Sequence, residues 1–163
     1  MPLKIDKLNL DFGNSEIDYD TSDDHYTPPF IFEALGVEFD MDVCAPAGGL
    51  SWIPAKKSLS IIDDGLTSNW SGRVWMNPPY SGIKPWCQKM VNHGNGIALL
   101  LFSRNQWLNL VWDAADGIVM LDPKMKFIRS DGTTRSIMAQ TGLFAFGADN
   151  RQILESSGLG KVR

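Results

Sequence analysis

The chain has 163 residues, 44% of them apolar, with 15 lysines and arginines against 19 aspartates and glutamates for a formal net charge of −4. This length and content suit one compact domain with a full core, and the acidic balance excludes a protein that coats nucleic acid through its overall charge; phosphate contacts would need a local gathering of cations. The two cysteines, Cys44 and Cys87, and the two histidines, His25 and His93, form neither a disulfide framework nor a metal-ligand spacing, no apolar stretch is long enough to span a bilayer, and no signal peptide opens the chain, so a reduced, cytoplasmic protein without a metal is expected.

Residues 1–24 mix Lys, Asp, Asn and Gly with only a weak alternation, which reads as an extended leader before a single domain over residues 25–163. Thr27-Pro28-Pro29 carries helix-start grammar, a hydroxyl at the N-cap and proline in the first turn, with Phe30, Ile31 and Leu35 facing inward and Gly36 as the stop. A helix N-terminus with a Thr hydroxyl also suits a carboxylate. Val37 to Val43 alternates apolar and acidic residues and then enters the small-residue loop from Cys44 to Gly49, so a strand is expected to end there. In an open α/β sheet, that strand end is where a nucleotide-like ligand sits. Asp40 and Asp42, two apart, project to one face, either to accept from such a ligand or to form a solvent-facing acidic edge.

Leu50 to Ser60 reads as a loop with aromatic and basic character, Trp52, Lys56 and Lys57 among its residues, suited to touching DNA or to covering the core. Ile61 to Leu66 reads as a short strand and turn. The central stretch follows: Val74-Trp75-Met76 is a buried strand that stops at Asn77-Pro78-Pro79-Tyr80. The two prolines fix two φ angles and remove two backbone donors, so the carbonyls of Asn77 and Pro78 have no partner in a continuing ladder and are left to face a ligand. The Asn77 side-chain carbonyl is a further acceptor, and Tyr80 adds a flat, amphipathic ring. Such a cluster suits a planar group bearing an NH2, such as the edge of adenine. Two acceptors that take its N–H bonds favour a pyramidal nitrogen and offset the positive charge that develops on attack. The structural alternative is a plain strand-ending turn.

Beyond the motif, Ile83, Trp86, Cys87 and Met90 have helical spacing, closed by His93-Gly94. Ile97 to Phe102 is a continuous apolar run, as in a strand covered on both faces, Asn105 to Ala115 reads as a helix, and Ile118 to Leu121 as the next strand. Apolar strands alternating with helices argue for a three-layer α/β domain. Lys126 to Arg129 and Leu143 to Phe146 flank a polar Gly- and Thr-rich stretch, which predicts antiparallel strands at the sheet edge with a basic tip of Lys124, Lys126, Arg129 and Arg135. A short helix from Asn150 to Ser156 ends the pattern.

Taken in order, Thr27-Pro28, Phe39 to Ala45, Asp64-Gly65-Leu66 with Trp70, Asn77 to Ser81 and Trp86 resemble the phage-type N-6-adenine DNA methyltransferases of the Dam-like family. The resemblance runs through Phe127 and the strand from Phe144 to Gly147. It implies a Rossmann-like methyltransferase sheet with S-adenosylmethionine as cofactor, held by Thr27, Pro28, Asp40, Asp42, Cys44, Ala45, Asp64 and Leu66. It also implies a DNA adenine, extruded from the helix, against Asn77, Pro78, Pro79 and Tyr80, with Phe127 either packed on the base or a core residue of its strand, and Lys56, Lys57, Lys126 and Arg129 toward the substrate. The chain departs from the family in lacking a G-x-G cofactor loop, and it has no room for a separate target-recognition domain. The same tetrapeptide also serves methyltransferases that act on a protein glutamine amide, and a catalytically inactive DNA-binding module of the same fold is the reading from another class.

Overall fold

The computed structural model describes residues 25–137 and 139–163. The leader expected over residues 1–24 lies outside them. The central strands are short and apolar: β1 (Phe39–Asp42), β3 (Val74–Met76), β4 (Gly96–Leu101) and β5 (Gly117–Met120) run parallel in one six-stranded sheet, with β2 (Ala55–Ser58) on one edge and β8 (Thr141–Phe146) inserted antiparallel between β4 and β5. The order across the sheet is β2-β1-β3-β4-β8-β5.

Side-chain alternation along these strands divides the core into two layers. Val74, Met76, Ala98, Leu100, Phe144 and Phe146 face helices α2 (Ile83–His93) and α3 (Gln106–Ala114), whereas Trp75, Ile97, Leu99, Leu143 and Ala145 face α1 (Pro29–Leu35) and α4 (Ala148–Ser156). A one-residue slip of β4 against β8 would exchange the two sets, so the register Ala98↔Phe144 is fixed by burial on both faces. On the α1 side, Phe32 meets Trp75 at 4.7 Å and Phe39 meets it at 5.6 Å between ring centroids, contacts worth about 0.5–1.5 kcal/mol each beyond area burial. Helix α2 stops where Gly94 takes φ 70° and its N–H closes on the Met90 carbonyl, a left-handed cap that a Cβ would strain.

Several sequence expectations change here. Helix α1 begins at Pro29 with Pro28 as its N-cap and no side-chain cap; Thr27 does not cap it because its hydroxyl faces Asn77 instead. The basic segment expected to be loop contributes β2, whose backbone pairs with β1 while its lysines face outward. No strand forms at 61–66, where consecutive turns leave Ile61 and Ile62 exposed. The apolar β8 is antiparallel, as expected, but it lies inside the sheet rather than at its edge, with all six residues buried. The hairpin instead forms from β6 (Lys126–Ile128) and β7 (Thr134–Ser136), a separate two-stranded ribbon.

Candidate active site

The chain leaves β3 at Met76 and turns through Asn77-Pro78-Pro79-Tyr80 at the carboxyl end of the parallel strands. Asn77 Nδ2 donates to the His25 carbonyl at 2.9 Å and to Thr27 Oγ1 at 3.4 Å. Among the described residues, neither Asn77 Oδ1 nor the Pro78 carbonyl accepts a hydrogen bond. Tyr80 is half-buried, its hydroxyl donating to the Leu99 carbonyl at 3.2 Å and its ring tilted against Trp107 of α3. That contact fixes the ring plane beside the turn.

In front of Asn77 lies an open cleft of about 690 Å³, bounded by Val43, Cys44, Ala45 and Pro46 after β1, by Leu59 to Ile61 after β2, by Asp64 and Gly65, and by Asn77, Pro79 and Ser81 after β3. Trp86 of α2 forms part of its wall. A second, much smaller cavity of about 40 Å³ also borders Asn77, lined by Asp42, Trp75, Thr27 and His25 among others. Asn77, Cys44, Pro46 and Tyr26 border both spaces. The large cleft falls within the size range of small-molecule and cofactor sites, about 300–1,000 Å³. Its apolar walls and single acid suit a ligand that carries an aromatic base together with polar or cationic groups.

The chain matches the family model described as DNA N-6-adenine-methyltransferase (Dam) over residues 14–148. It belongs to that family. No curated protein and no solved structure matches it. As a member of the Dam family it is a DNA methyltransferase, with DNA as the substrate and a methyl donor of the S-adenosylmethionine type implied. The mixed α/β sheet described above is consistent with a methyltransferase-like fold. Among the described residues, no helix is long and apolar enough to cross a membrane, and no cluster of His, Cys, Asp and Glu is placed to hold a metal ion.

The residues expected to serve this Dam-family site are not all brought together. Cys44, Ala45, Asp64, Asn77 and Pro79 border the cleft, whereas Thr27, Asp42 and Pro78 border the small cavity, which Cys44 and Asn77 share. Asp40 is elsewhere: its carboxylate accepts from the Arg73 amide at 2.8 Å and from Lys56 Nζ at 3.1 Å, and these bonds, the Arg73 amide first, hold it below the usual carboxylate range. Lys56 is occupied by that contact and by Glu38, while Lys57 is exposed on the edge strand. Pro28 is buried at the start of α1. Leu66 is tied by its amide to Asp64 Oδ1 at 3.1 Å. Of the two places open to Phe127, the base or the core, the structure has it in the core: at 2% exposure it packs edge-on to the His25 ring at 5.8 Å, because the apolar face of β6 turns inward. Lys126 is exposed on that ribbon, and Arg129 follows it.

Asp42 and Asp64 have opposite surroundings. Asp42 is 2% exposed and accepts only from the Cys44 amide, at 3.3 Å; burial pushes its carboxyl up to about 7. The Cys44 thiol is pushed well up by burial and then by the Asp42 charge beside it, which favours its neutral form at the cleft wall. Asp64 is exposed, with its backbone at φ 55°, a left-handed geometry that Asp tolerates better than most residues.

The Asp64 loop is pinned from α2, which the sequence reading did not anticipate. Lys89 Nζ donates to the carbonyls of Gly65, Leu66 and Ser68 and lies over the Trp70 ring. Trp70 Nε1 donates to the Gly65 carbonyl at 2.8 Å, and its ring stacks on Trp86. Gly65 has no room for a side chain, since a Cβ would fall 2.3 Å from the Val43 carbonyl and 2.8 Å from Trp86. Trp86 and Lys89, three apart on one helix, share a face, which is the signal that marks this anchor.

Proposed function

We propose that the chain transfers a methyl group from S-adenosylmethionine to the exocyclic amine of adenine in DNA. The observation that carries the reading is Asn77 at the carboxyl end of a central strand, bordering a cofactor-sized cleft, with its NH2 already engaged and Oδ1 uncommitted. Family membership supports the same reaction class. The strand order, with one antiparallel strand inserted beside a parallel set, supports a Rossmann-like methyltransferase sheet.

Cys44, Ala45 and Asp64 are the residues that would hold the cofactor along the cleft wall, the Asp64 carboxylate meeting its polar or cationic groups. When bound, the cofactor supplies an electrophilic methyl group on a sulfonium. Asn77 Oδ1 and the Pro78 carbonyl accept the two N–H bonds of the target amine, concentrating its lone pair toward the methyl group and stabilising the charge that grows on nitrogen. Tyr80 offers its ring as the platform for the base, held in plane by its bond to Leu99. Reaching this pocket requires adenine to leave the helix, at a cost of a few kcal/mol in a duplex and less in a single strand. Lys126 and Arg129 on the β6–β7 ribbon, together with Lys57, meet phosphates and so position the strand.

The test is transfer of a labelled methyl group to unmethylated duplex and single-stranded DNA by wild type and Asn77→Ala, with a glutamine-containing peptide as a parallel acceptor. Incorporation into DNA by wild type alone is expected. Incorporation into the peptide but not DNA, or an active Asn77→Ala, would contradict the reading.

A further inference from the structure

The Asn77 amide is held from one side. The His25 group it meets at 2.9 Å is a backbone carbonyl, which can only accept. The amide end facing it must therefore be the NH2, because the flipped amide would set oxygen against oxygen and lose the bond. Thr27 Oγ1, at 3.4 Å on the same side, is placed to accept from the same NH2. Oδ1 consequently points away from both. Asn77 borders the cleft, and His25 and Thr27 do not, which favours the cleft as the space that the oxygen serves.

The holding groups are themselves fixed. Thr27 is 1% exposed, and its carbonyl accepts from Trp52 Nε1 at 2.8 Å. Between His25 and Thr27, Tyr26 exchanges two backbone hydrogen bonds with Ile128, at 2.8 and 2.9 Å. Ile128 is the last residue of β6, in the ribbon that carries Lys126. A short strap thus runs from the ribbon through Tyr26 to both groups that hold Asn77.

We infer that Thr27 and the His25 carbonyl are positioning groups for Asn77, selecting the amide orientation that offers Oδ1 to the adenine amine, and that the Tyr26–Ile128 pairing ties this orientation to the substrate-facing ribbon. The inference rests on the reading of Asn77 as an acceptor for that amine. It moves Thr27 from the cofactor, where the family resemblance sets it, to the support of the reacting group. The two assignments separate experimentally, since a cofactor ligand acts on affinity for S-adenosylmethionine and a positioning group acts on turnover.

Steady-state methyl transfer and equilibrium S-adenosylmethionine binding should be measured for wild type, Thr27→Val, Thr27→Ser and Asn77→Ala. Thr27→Val keeps the shape and removes the acceptor; kcat should fall about 10–100-fold, by analogy with the loss of the outer partner that orients a metal ligand, with KM and Kd for S-adenosylmethionine unchanged. Thr27→Ser restores the acceptor and should recover most of the turnover. An unchanged kcat in Thr27→Val, or a raised Kd with kcat retained, overturns the assignment. If Thr27→Val does not fold, Thr27→Ala read against Thr27→Ser carries the same test. An active Asn77→Ala defeats the underlying functional reading, whereas an inactive Asn77→Ala beside a fully active Thr27→Val defeats the positioning role alone.

Discussion

The two ends of the parallel strands treat their polar groups in opposite ways. Where the strands begin, Asp40 is bound by the Arg73 amide and Lys56, Arg73 Nε donates to Asn150 Oδ1 at 2.7 Å, and Asn150 Nδ2 donates to Asn95 Oδ1 and the Phe146 carbonyl at 2.8 and 2.7 Å. Where they end, Asp42 is buried with one long hydrogen bond, half of the Asn77 amide is uncommitted, and the fully buried Trp75 Nε1 has no partner among the described residues. Buried polar groups without partners cost about 1–3 kcal/mol each. A fold keeps them where a ligand completes them or where the chemistry uses them. The closed network ties the strand starts to α4, and the open end is where the proposed function sets binding and reaction.

Substitutions at the two ends should therefore fail differently. At the open end, Asn77→Ala should reduce turnover by about 100–1,000-fold, as loss of a preorganised charge-stabilising group does, while Tm changes little; kcat and a melting curve on one preparation check both halves. At the closed end, Asn150→Ala removes the bonds to Arg73 Nε, Asn95 Oδ1 and the Phe146 carbonyl and should cost about 2–4 kcal/mol of stability. Denaturant unfolding would measure that loss, and the activity per folded molecule should stay at the wild-type level. Activity lost in proportion to Asn77→Ala would erase the distinction between the ends.

Asp42 sharpens the comparison through pH. Its folded value is raised from 3.8 to about 7, so between those values the native state holds a proton that the unfolded chain has released. Stability contributed by this group therefore falls as pH rises from about 4 to about 7 and levels off above. Asp42→Asn keeps an acceptor for the Cys44 amide and removes the titration. Its Tm advantage over wild type should grow across that window and stay constant beyond it, as thermal melts at pH 5, 7 and 8 would show. The smallest effect is expected at Lys126 on the ribbon. Lys126→Ala should weaken DNA binding modestly and lower the salt slope of log K by about one, leaving S-adenosylmethionine binding unchanged.

How much of this was legible in the sequence depends on whether local pattern or distant neighbours decide each feature. The strand ending at Asn77, the glycine stops at Gly36 and Gly94, and the apolar run of β4 are local, and they appear where the pattern set them. The family is carried by motif order and was legible too. Strand β2 was not, because Ala-Lys-Lys-Ser has no apolar face and becomes a strand only by pairing with β1. The run Leu143 to Phe146 reads locally as an antiparallel strand at the sheet edge, and only its pairing with both β4 and β5 sets it inside the sheet. Alternation in β1 set Asp40 and Asp42 as equivalent; the Lys56 and Arg73 contacts at one and the burial of the other made them different. Lys89 has no role legible in its own helix, because the Gly65, Leu66 and Ser68 carbonyls that close around it belong to a loop distant in sequence.

The most direct measurement of the central claim is the identity of the methylated base. Unmethylated DNA should be incubated with S-adenosylmethionine and the protein, digested to nucleosides and analysed by mass spectrometry, with Asn77→Ala of matched Tm alongside. The open end of the sheet, as described, yields N6-methyladenine from wild type and about 100–1,000-fold less per unit time from the variant. Methylated cytosine in place of methylated adenine, or equal N6-methyladenine from both proteins, would contradict it.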